Sequence, residues 1–247
     1  MKFLNTFIRL NRNLSSAFEE KFPIFKCHDS TRPTFKKSVE AYLALKSKNE
    51  EKFKLLEVGS VDRPFLQKSD SFEYHGLDIE QICDAEHIYD KFFVQSIEDK
   101  LDEKYDIIIS RMVLEHVPNN TKAWKEMFDG LKMNGLTVHI FPGSKHPFSI
   151  ATQLVGNRIQ RILIKYLRPN AKHTGYPAYY NLCSPRKLRK ELHNIGFKDI
   201  HIRYAYSAND YFKFFFPAFL AIAVFNVTMT RLGISEFASN LYVETKK

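Results

Sequence analysis

Short apolar segments alternate with helical or loop segments through the middle of the chain. Five of them have strand length, and the segments between them are long enough to be crossovers. The segment YDIIISRMV is apolar at successive positions, which is typical of a central strand covered by helices on both faces. We therefore predict a largely parallel sheet. Its first five strands are residues 54–58, 73–79, 92–95, 106–112 and 136–141.

Helical periodicity dominates the beginning of the chain. Phe3, Phe7, Leu10 and Leu14 recur at steps of three and four residues, and a second helical pattern follows a mixed loop over residues 21–34. We predict an N-terminal helical cap over residues 1–50 and one larger domain over residues 51–247.

The second half of the larger domain is predicted to contain several helices. A helix over 124–131 is followed by a turn, KMNG, because Asn134 and Gly135 suit a helix C-terminus. A basic helix at about 150–172 and a helix that begins with Ser184 and Pro185 follow. Residues 198–206 and 238–247 have strand character.

An apolar stretch at about 209–233 separates those last two strands. It is too long for a hairpin loop, so it reads as an insertion. Lys213, Pro217 and Asn226 interrupt it, and its uninterrupted apolar part falls short of the ~18 to 20 residues that a membrane span needs. We predict a buried or interfacial helix.

Charge is unevenly distributed along the chain. Residues 73–106 contain eleven acids and three lysines, whereas residues 145–213 contain thirteen Lys and Arg against three acids. The basic half is where an anionic partner is expected, although a solvated surface explains it equally well. The three cysteines show neither disulfide nor zinc spacing, which favours a reducing cytosol.

An acid and a glycine stand at the end of the first predicted strand. In KLLEVGSVDRP, Glu57 ends the apolar run and Gly59 lies in the turn, where the missing Cβ lets backbone approach a ligand. The second strand ends in GLDIE, so Asp78 lies at its carboxyl edge. A carboxylate there can accept both hydroxyls of a ribose.

With these motifs, YDIIISRMVLEHV and GLTVHIFPG, the chain resembles the class I S-adenosylmethionine-dependent methyltransferases over roughly residues 50–145 and in its last strands. The resemblance implies an α/β, Rossmann-like, doubly wound fold. Its seven-stranded sheet is mostly parallel, with an antiparallel last strand preceded by the apolar insertion. It also implies S-adenosylmethionine as cofactor, held by Glu57, Val58, Gly59, Ser60, Val61, Asp78, Ile79, Ser96, Ile97, Glu98 and Arg111.

Within that set, the resemblance assigns the methionine part of the cofactor to Glu57 and the turn, the ribose to Asp78, and the adenine to Ile79 and Ile97. Val61 and Arg63 stand where the family has further glycines, so a non-catalytic relative of the same fold is an alternative. A nicotinamide-binding domain also needs a glycine turn and an acid, but EVGSVDRP lacks GxGxxG.

Methyl transfer to an oxygen acceptor needs a base. His116 and His146 follow the fourth and fifth strands, where loops at the carboxyl edge meet a ligand, so each is a candidate base or a packing residue. Glu115 beside His116 lacks metal-binding spacing, and we predict no metal. Cys183 is not needed as a nucleophile in a direct transfer.

The predicted acceptor is a hydroxyl of a small molecule, a sugar or a lipid-linked glycan, and RNA is a less favoured alternative. Basic residues recur in a stripe at helical spacing on a predicted helix that also has an apolar side. This pattern favours an anionic membrane surface as partner. The alternative is a helix that packs on the core and exposes its basic face to solvent. We expect a cytoplasmic location, with peripheral contact at the inner membrane face. The stripe comprises Arg158, Arg161, Lys165, Arg168 and Lys172.

Overall fold

A computed structural model describes residues 2–26, 28–48, 52–59, 63–154 and 176–247. The chain divides into two compact units. The sheet unit comprises residues 31–142, 179–203 and 241–247, and the helical unit comprises residues 1–30, 143–178 and 204–240. The predicted basic stripe lies outside the described residues.

Seven strands form one sheet, in the order β3-β2-β1-β4-β5-β7-β6. Strands β1 to β5 pair in parallel, and the chain closes with antiparallel strands, so the predicted fold is confirmed. Strands β1 and β4 are buried along almost their whole length, which explains their unbroken apolar runs. The strands are β1 (Phe53–Val58), β2 (Phe72–Asp78), β3 (Lys91–Val94), β4 (Tyr105–Arg111), β5 (Leu131–Pro142), β6 (Lys198–Ala205) and β7 (Asn240–Lys246).

Helices accompany these strands within the sheet unit. Phe35 and Val39 of α2 belong to the core that includes Leu55 and Ile107 of the central strands. The predicted helix after Ser184 is confirmed: it has Pro185 in its first turn and ends at Gly196. The helices are α2 (Thr31–Lys48), α3 (Ala85–Ile88), α4 (Asn120–Gly130) and α6 (Pro185–Ile195).

The predicted helix over 124–131 corresponds to α4, but the predicted turn at residues 132–135 is wrong. Helix α4 ends at Gly130, and β5 begins with the next residue. A Cβ at Gly130 would lie 2.6 Å from Leu101 Cδ1, so a close packing contact accounts for glycine there. Asn134 instead takes a left-handed conformation, with φ of 61°, within β5.

The helical unit contains α1 (Lys2–Lys21), α5, which begins at residue 147 and is described to residue 154, and α7 (Phe216–Leu232). The predicted insertion is thus helical over much of its length. None of the described helices is long and apolar enough to cross a membrane. Helices α1 and α2 belong to different units, and the division at residue 50 stays a prediction.

A chain of buried polar side chains runs through the helical unit. The Asn209 amide donates to the carbonyl oxygen of Phe25 at 2.7 Å, and the Asn226 amide donates to Asn209 Oδ1 at 2.5 Å. Asn226 Oδ1 in turn lies 2.9 Å from His146 Nε2. Asn226 interrupts the apolar sequence of α7 because it links this chain.

A buried histidine of β5, His139, contacts the neighbouring strand β4. His139 Nδ1 is 2.7 Å from Ser110 Oγ, and the His139 ring meets Trp124 edge to face at 4.9 Å. Burial lowers the pKa of His139 from 6.5 to about 3, so the folded protein holds this imidazole neutral.

We predict that acid weakens the wild type more than a His139→Gln variant. The unfolded state takes up a proton on His139 below about pH 6.5, whereas the folded state does not, so stability is lost as the pH falls. The variant should have a lower free energy of unfolding than the wild type at pH 7. This difference between the two proteins should shrink by about 2 kcal/mol at pH 5. Urea denaturation at both pH values measures this.

The matched control is His201→Gln, which removes an exposed imidazole from β6. This variant shows whether removal of an exposed imidazole changes the free energy of unfolding in the same way. A constant deficit for His139→Gln across the same pH range would contradict the prediction.

Candidate functional site

The carboxyl ends of β1, β2 and β3 lie side by side. Val58 pairs with Leu77, and the amide of Gly59 donates to the carbonyl oxygen of Leu77 at 2.8 Å. Asp78 pairs with Val94, and the Gln95 amide donates to the Asp78 carbonyl at 2.9 Å. The turn after β1 is therefore adjacent to the carboxylate-bearing end of β2.

Gly59 is required by both its conformation and its surroundings. Its φ is +70°, in the left-handed region that favours glycine, and a Cβ there would lie 2.2 Å from Val113 Cγ2. The loop after β4 thus packs directly against this turn. Ser60 and Val61, which the sequence assigned to the cofactor, lie outside the described residues.

Glu57 is buried and hydrogen-bonded by the protein itself. Both of its carboxylate oxygens accept from the Phe65 amide, at 2.9 and 3.1 Å, and the Tyr74 hydroxyl donates to Oε2. Burial raises the pKa of Glu57, while these hydrogen bonds and the nearby Arg111 oppose the increase. Glu57 therefore ties the backbone of Phe65 to the end of β1.

Arg111 reaches the same loop from the end of β4. Its Nη2 donates to the Arg63 carbonyl at 2.8 Å and lies 3.4 Å from Glu57 Oε1, and its guanidinium lies over the Phe65 ring at 5.0 Å. Among the described residues, Arg111 Nε is buried without an acceptor.

Asp78 is buried at the end of β2, and its Oδ1 accepts the Glu80 amide at 3.1 Å. Ile79 beside it is 62% exposed and offers apolar surface at the sheet edge. Ile97, the other residue assigned to adenine, is 3% exposed.

Ser96 and Glu98 form the turn after β3. Ser96 Oγ accepts the Glu98 amide at 3.1 Å, and Glu98 Oε1 accepts the Asn119 amide at 2.6 Å. Glu98 thereby connects this turn to the segment before α4. Its assigned part in cofactor binding stays a prediction.

His116 lies in a 3-10 turn, Leu114–His116, that follows β4. One third of its side chain is exposed, and its Nε2 is 3.7 Å from Glu115 Oε1. Burial raises the pKa of Glu115 to about 8, and Oε2 of this carboxyl has no partner among the described residues. Glu115 is therefore mostly protonated at neutral pH.

A strap formed by residues 179–183 lies against this turn. The amides of Tyr179 and Tyr180 donate to the Glu115 carbonyl at 2.8 and 3.0 Å, and the Asn181 side chain donates to the Pro118 carbonyl. Tyr180 and Leu182 have φ of 53° and 55°. Such conformations are costly for bulky residues, and they cluster at functional sites.

Sequence reasoning did not find the strap or the contact of Tyr74 with Glu57. The strap joins residues more than sixty positions apart, and its tyrosines follow no motif. For Tyr74 a signal existed: it lies on β2 among buried residues, where a hydroxyl needs a polar partner.

His146 belongs to the helical unit and is completely buried. Its Nε2 faces Asn226 Oδ1, and its Nδ1 accepts the Phe148 amide at 3.1 Å. Because both ring nitrogens are engaged, the ring is held as the Nε2–H tautomer. Burial lowers its pKa. Its predicted role as a base is not tested by these contacts alone.

Cys183 is buried, and burial raises the pKa of its thiol, with a further contribution from Glu115. The thiol is thus not activated as a nucleophile. A group of potential metal ligands, Glu73, His75 and Glu103, has ligand atoms within 4.8 Å of one another. Lys54 and Lys91 already pair with Glu103, so cations of the protein neutralise this group.

Comparison with known proteins identifies a family. The model of a family described as "Methyltransferase domain" matches residues 29–202, which is more than half of the chain. A search of curated proteins found no match.

Solved methyltransferase structures are similar to the chain at low identity. A phosphoethanolamine N-methyltransferase 2 from Haemonchus contortus, with S-adenosylhomocysteine, has 14% identity and a TM-score of 0.50, and 84% of this chain matches 52% of it. An S-adenosylmethionine-dependent methyltransferase from Archaeoglobus fulgidus has 18% identity and a TM-score of 0.48, over 94% of this chain and 98% of that one. One from Thermotoga maritima has 11% identity and a TM-score of 0.48, over 98% and 99%.

The residues at the sheet edge fit the cofactor of this family. The turn at Gly59 and the carboxylate-bearing residue Asp78 lie at neighbouring strand ends, where a ribose can be bound. The family match and this geometry together show that the chain belongs to the class I S-adenosylmethionine-dependent methyltransferases and is a methyl-transferring enzyme.

Proposed function

We propose that the enzyme methylates a hydroxyl group of a small molecule, a sugar or a lipid-linked glycan by direct in-line transfer. The observation that carries the proposal is the hydrogen bond from the Gly59 amide to the Leu77 carbonyl, because it brings the glycine turn beside Asp78. S-adenosylmethionine supplies an electrophilic methyl group when bound. The protein then has to bind, align and deprotonate the acceptor.

In this proposal Asp78 accepts the ribose hydroxyls, and Ile79 provides an apolar surface for the adenine. The backbone at Gly59 lies against the methionine part. The place of Arg111 at the carboxyl end of β4 supports a contact with the methionine carboxylate, because a guanidinium pairs well with that group. Glu57 acts indirectly, by holding the backbone of Phe65.

We infer that His116, rather than His146, accepts the acceptor proton. His116 follows β4 at the same sheet edge as Asp78, and part of its side chain is exposed. His146 has both ring nitrogens occupied inside the helical unit. The strap restrains the backbone of Glu115, so it positions His116.

We further propose a cytoplasmic enzyme that associates with an anionic membrane surface. The dense positive charge of residues 145–213 supports this partner, because Lys and Arg near a surface are attracted to anionic lipid. Such a location suits an acceptor carried on a lipid.

Asp78→Ala should weaken S-adenosylhomocysteine binding roughly tenfold or more, because a charge-assisted hydrogen bond to the ribose is lost. Isothermal titration calorimetry of the variant and the wild type measures this. Glu80→Ala is the matched control, since it removes an exposed carboxylate two residues away and should bind like the wild type. Equal affinities for all three proteins would contradict the ribose assignment.

His116→Gln should reduce methyl transfer by roughly 10² to 10⁴-fold, because a positioned base contributes about that much, while S-adenosylhomocysteine affinity stays near the wild-type value. Transfer of a radiolabelled methyl group to acceptors in a cell extract reports the activity. His146→Gln is the comparison: it should lower the melting temperature through loss of its buried hydrogen bonds. Full activity of His116→Gln would rule out His116 as the base.

Substitution of Arg158, Arg161 and Lys165 by Gln should reduce flotation of the protein with vesicles that contain phosphatidylglycerol, because about 1 kcal/mol of attraction is lost per charge. Vesicles of phosphatidylcholine alone provide the control. Unchanged flotation would exclude these residues from membrane contact.

A further inference from the structure

The first helix places three polar residues against the protein and leaves much of its apolar surface in solvent. On the side of α1 that contacts α7, Ser15 and Glu19 are buried and Asn11 is half-buried. The outer stripe of α1 consists of Phe3, Phe7, Leu10 and Leu14, which are 86%, 40%, 60% and 52% exposed. An amphipathic helix of a globular protein normally buries such a stripe.

Specific polar contacts hold this orientation. Asn11 Oδ1 accepts the Phe216 amide at the start of α7, at 2.9 Å. Glu19 pairs with Lys213 at 2.6 Å, and Lys213 is also paired with Asp210 at 2.7 Å. Phe18 packs edge to face on Phe216 and Phe219. Rotation of α1 to bury the outer stripe would break these contacts.

The exposed apolar surface extends beyond α1. The Phe7 ring stacks on the Phe215 ring, with centroids 6.5 Å apart and planes 27° apart, and Phe215 is itself exposed. A contiguous exposed apolar surface of this kind marks an interaction site rather than scattered surface residues.

The charge of α1 indicates which partner fits. Residues 2–18 contain Lys2, Arg9 and Arg12 and no acid. Arg9 and Arg12 lie on the exposed polar side of the helix. Phe and Leu on one face with Arg on the other is the pattern of helices that lie in the membrane interface, and anionic lipid attracts the basic residues.

A second copy of the chain fits this surface less well. The outer stripe spans residues 3–14, which is less than two heptads, whereas a helical pair needs about three to four heptads. Two copies would also bring together helices with a net positive charge, since α1 contains four Lys and Arg against Glu19 and Glu20.

We propose that the outer stripe of α1, with Phe215, inserts into the interface of an anionic phospholipid membrane. The axis of α1 lies parallel to the membrane plane. The Phe and Leu side chains reach the boundary between headgroups and acyl chains, and Arg9 and Arg12 remain near the headgroups. This assignment deepens the proposed membrane association and rests on it, but it does not depend on the acceptor or on His116.

The test is flotation of the full chain with phosphatidylcholine vesicles that contain or lack phosphatidylglycerol. The wild type should float with the anionic vesicles. Phe3→Asp combined with Leu10→Asp should reduce the bound fraction roughly tenfold or more, because two inserted side chains are replaced by charges. Asn5→Asp combined with Asn13→Asp adds the same charge at exposed polar positions and should retain most binding.

The proposal is overturned if the wild type does not float, if the two double variants lose binding equally, or if Phe3→Asp/Leu10→Asp still floats. Sedimentation of the wild type as a dimer that Phe3→Asp/Leu10→Asp dissociates would also overturn it in favour of a second copy. S-adenosylhomocysteine titration of each variant separates this outcome from failure of the enzymatic proposal, since the outer stripe should not affect that affinity.

A conservative variant gives an independent measurement. Phe3→Trp should show a blue shift of fluorescence with anionic vesicles, because the indole enters an apolar environment. The native Trp124 is fully buried and provides a constant background. Absence of a shift under conditions in which the protein floats would overturn insertion of this residue.

Discussion

The parallel pairing of β1 with β2 is the constraint on which the candidate site depends. Because side chains alternate along a strand, a shift of one residue would turn every buried residue of β2 to the opposite face. The observed register pairs Val58 with Leu77 and extends into the bond between Gly59 and Leu77. The burial of Leu55, Tyr74 and Leu77 therefore also determines where the glycine turn and Asp78 meet.

The loop after β1 is secured by side chains from two neighbouring strands. Tyr74 of β2 and Arg111 of β4 both contact Glu57, which is held by two bonds from the Phe65 amide. A buried carboxylate is costly without such partners, so each contact also maintains the others. The family's usual glycines are replaced here by larger residues. This network holds the backbone of Arg63 and Phe65, further along the same loop.

Much of the fold was predictable because it follows from local patterns. The unbroken apolar run of β4 and the strand-end acids identified the sheet and the edge that carries the site. The early start of β5 was not predictable, since Asn134 and Gly135, which are typical of a turn, lie within that strand and Asn134 takes a left-handed conformation there. The strap and the tautomer of His146 depend likewise on contacts between remote parts of the chain, for which one sequence contains no periodic signal.

The hydrogen-bonded line of Asn209, Asn226 and His146 affects how α7 packs in the helical unit. An α7 with only apolar residues could slide by one turn along its neighbours at little cost, since Leu, Ile and Phe interchange readily in a core. The Asn226 amide can accept from His146 and donate to Asn209 together at only one axial position of the helix. These hydrogen bonds therefore fix a single axial position of α7, whereas hydrophobic packing alone would permit several.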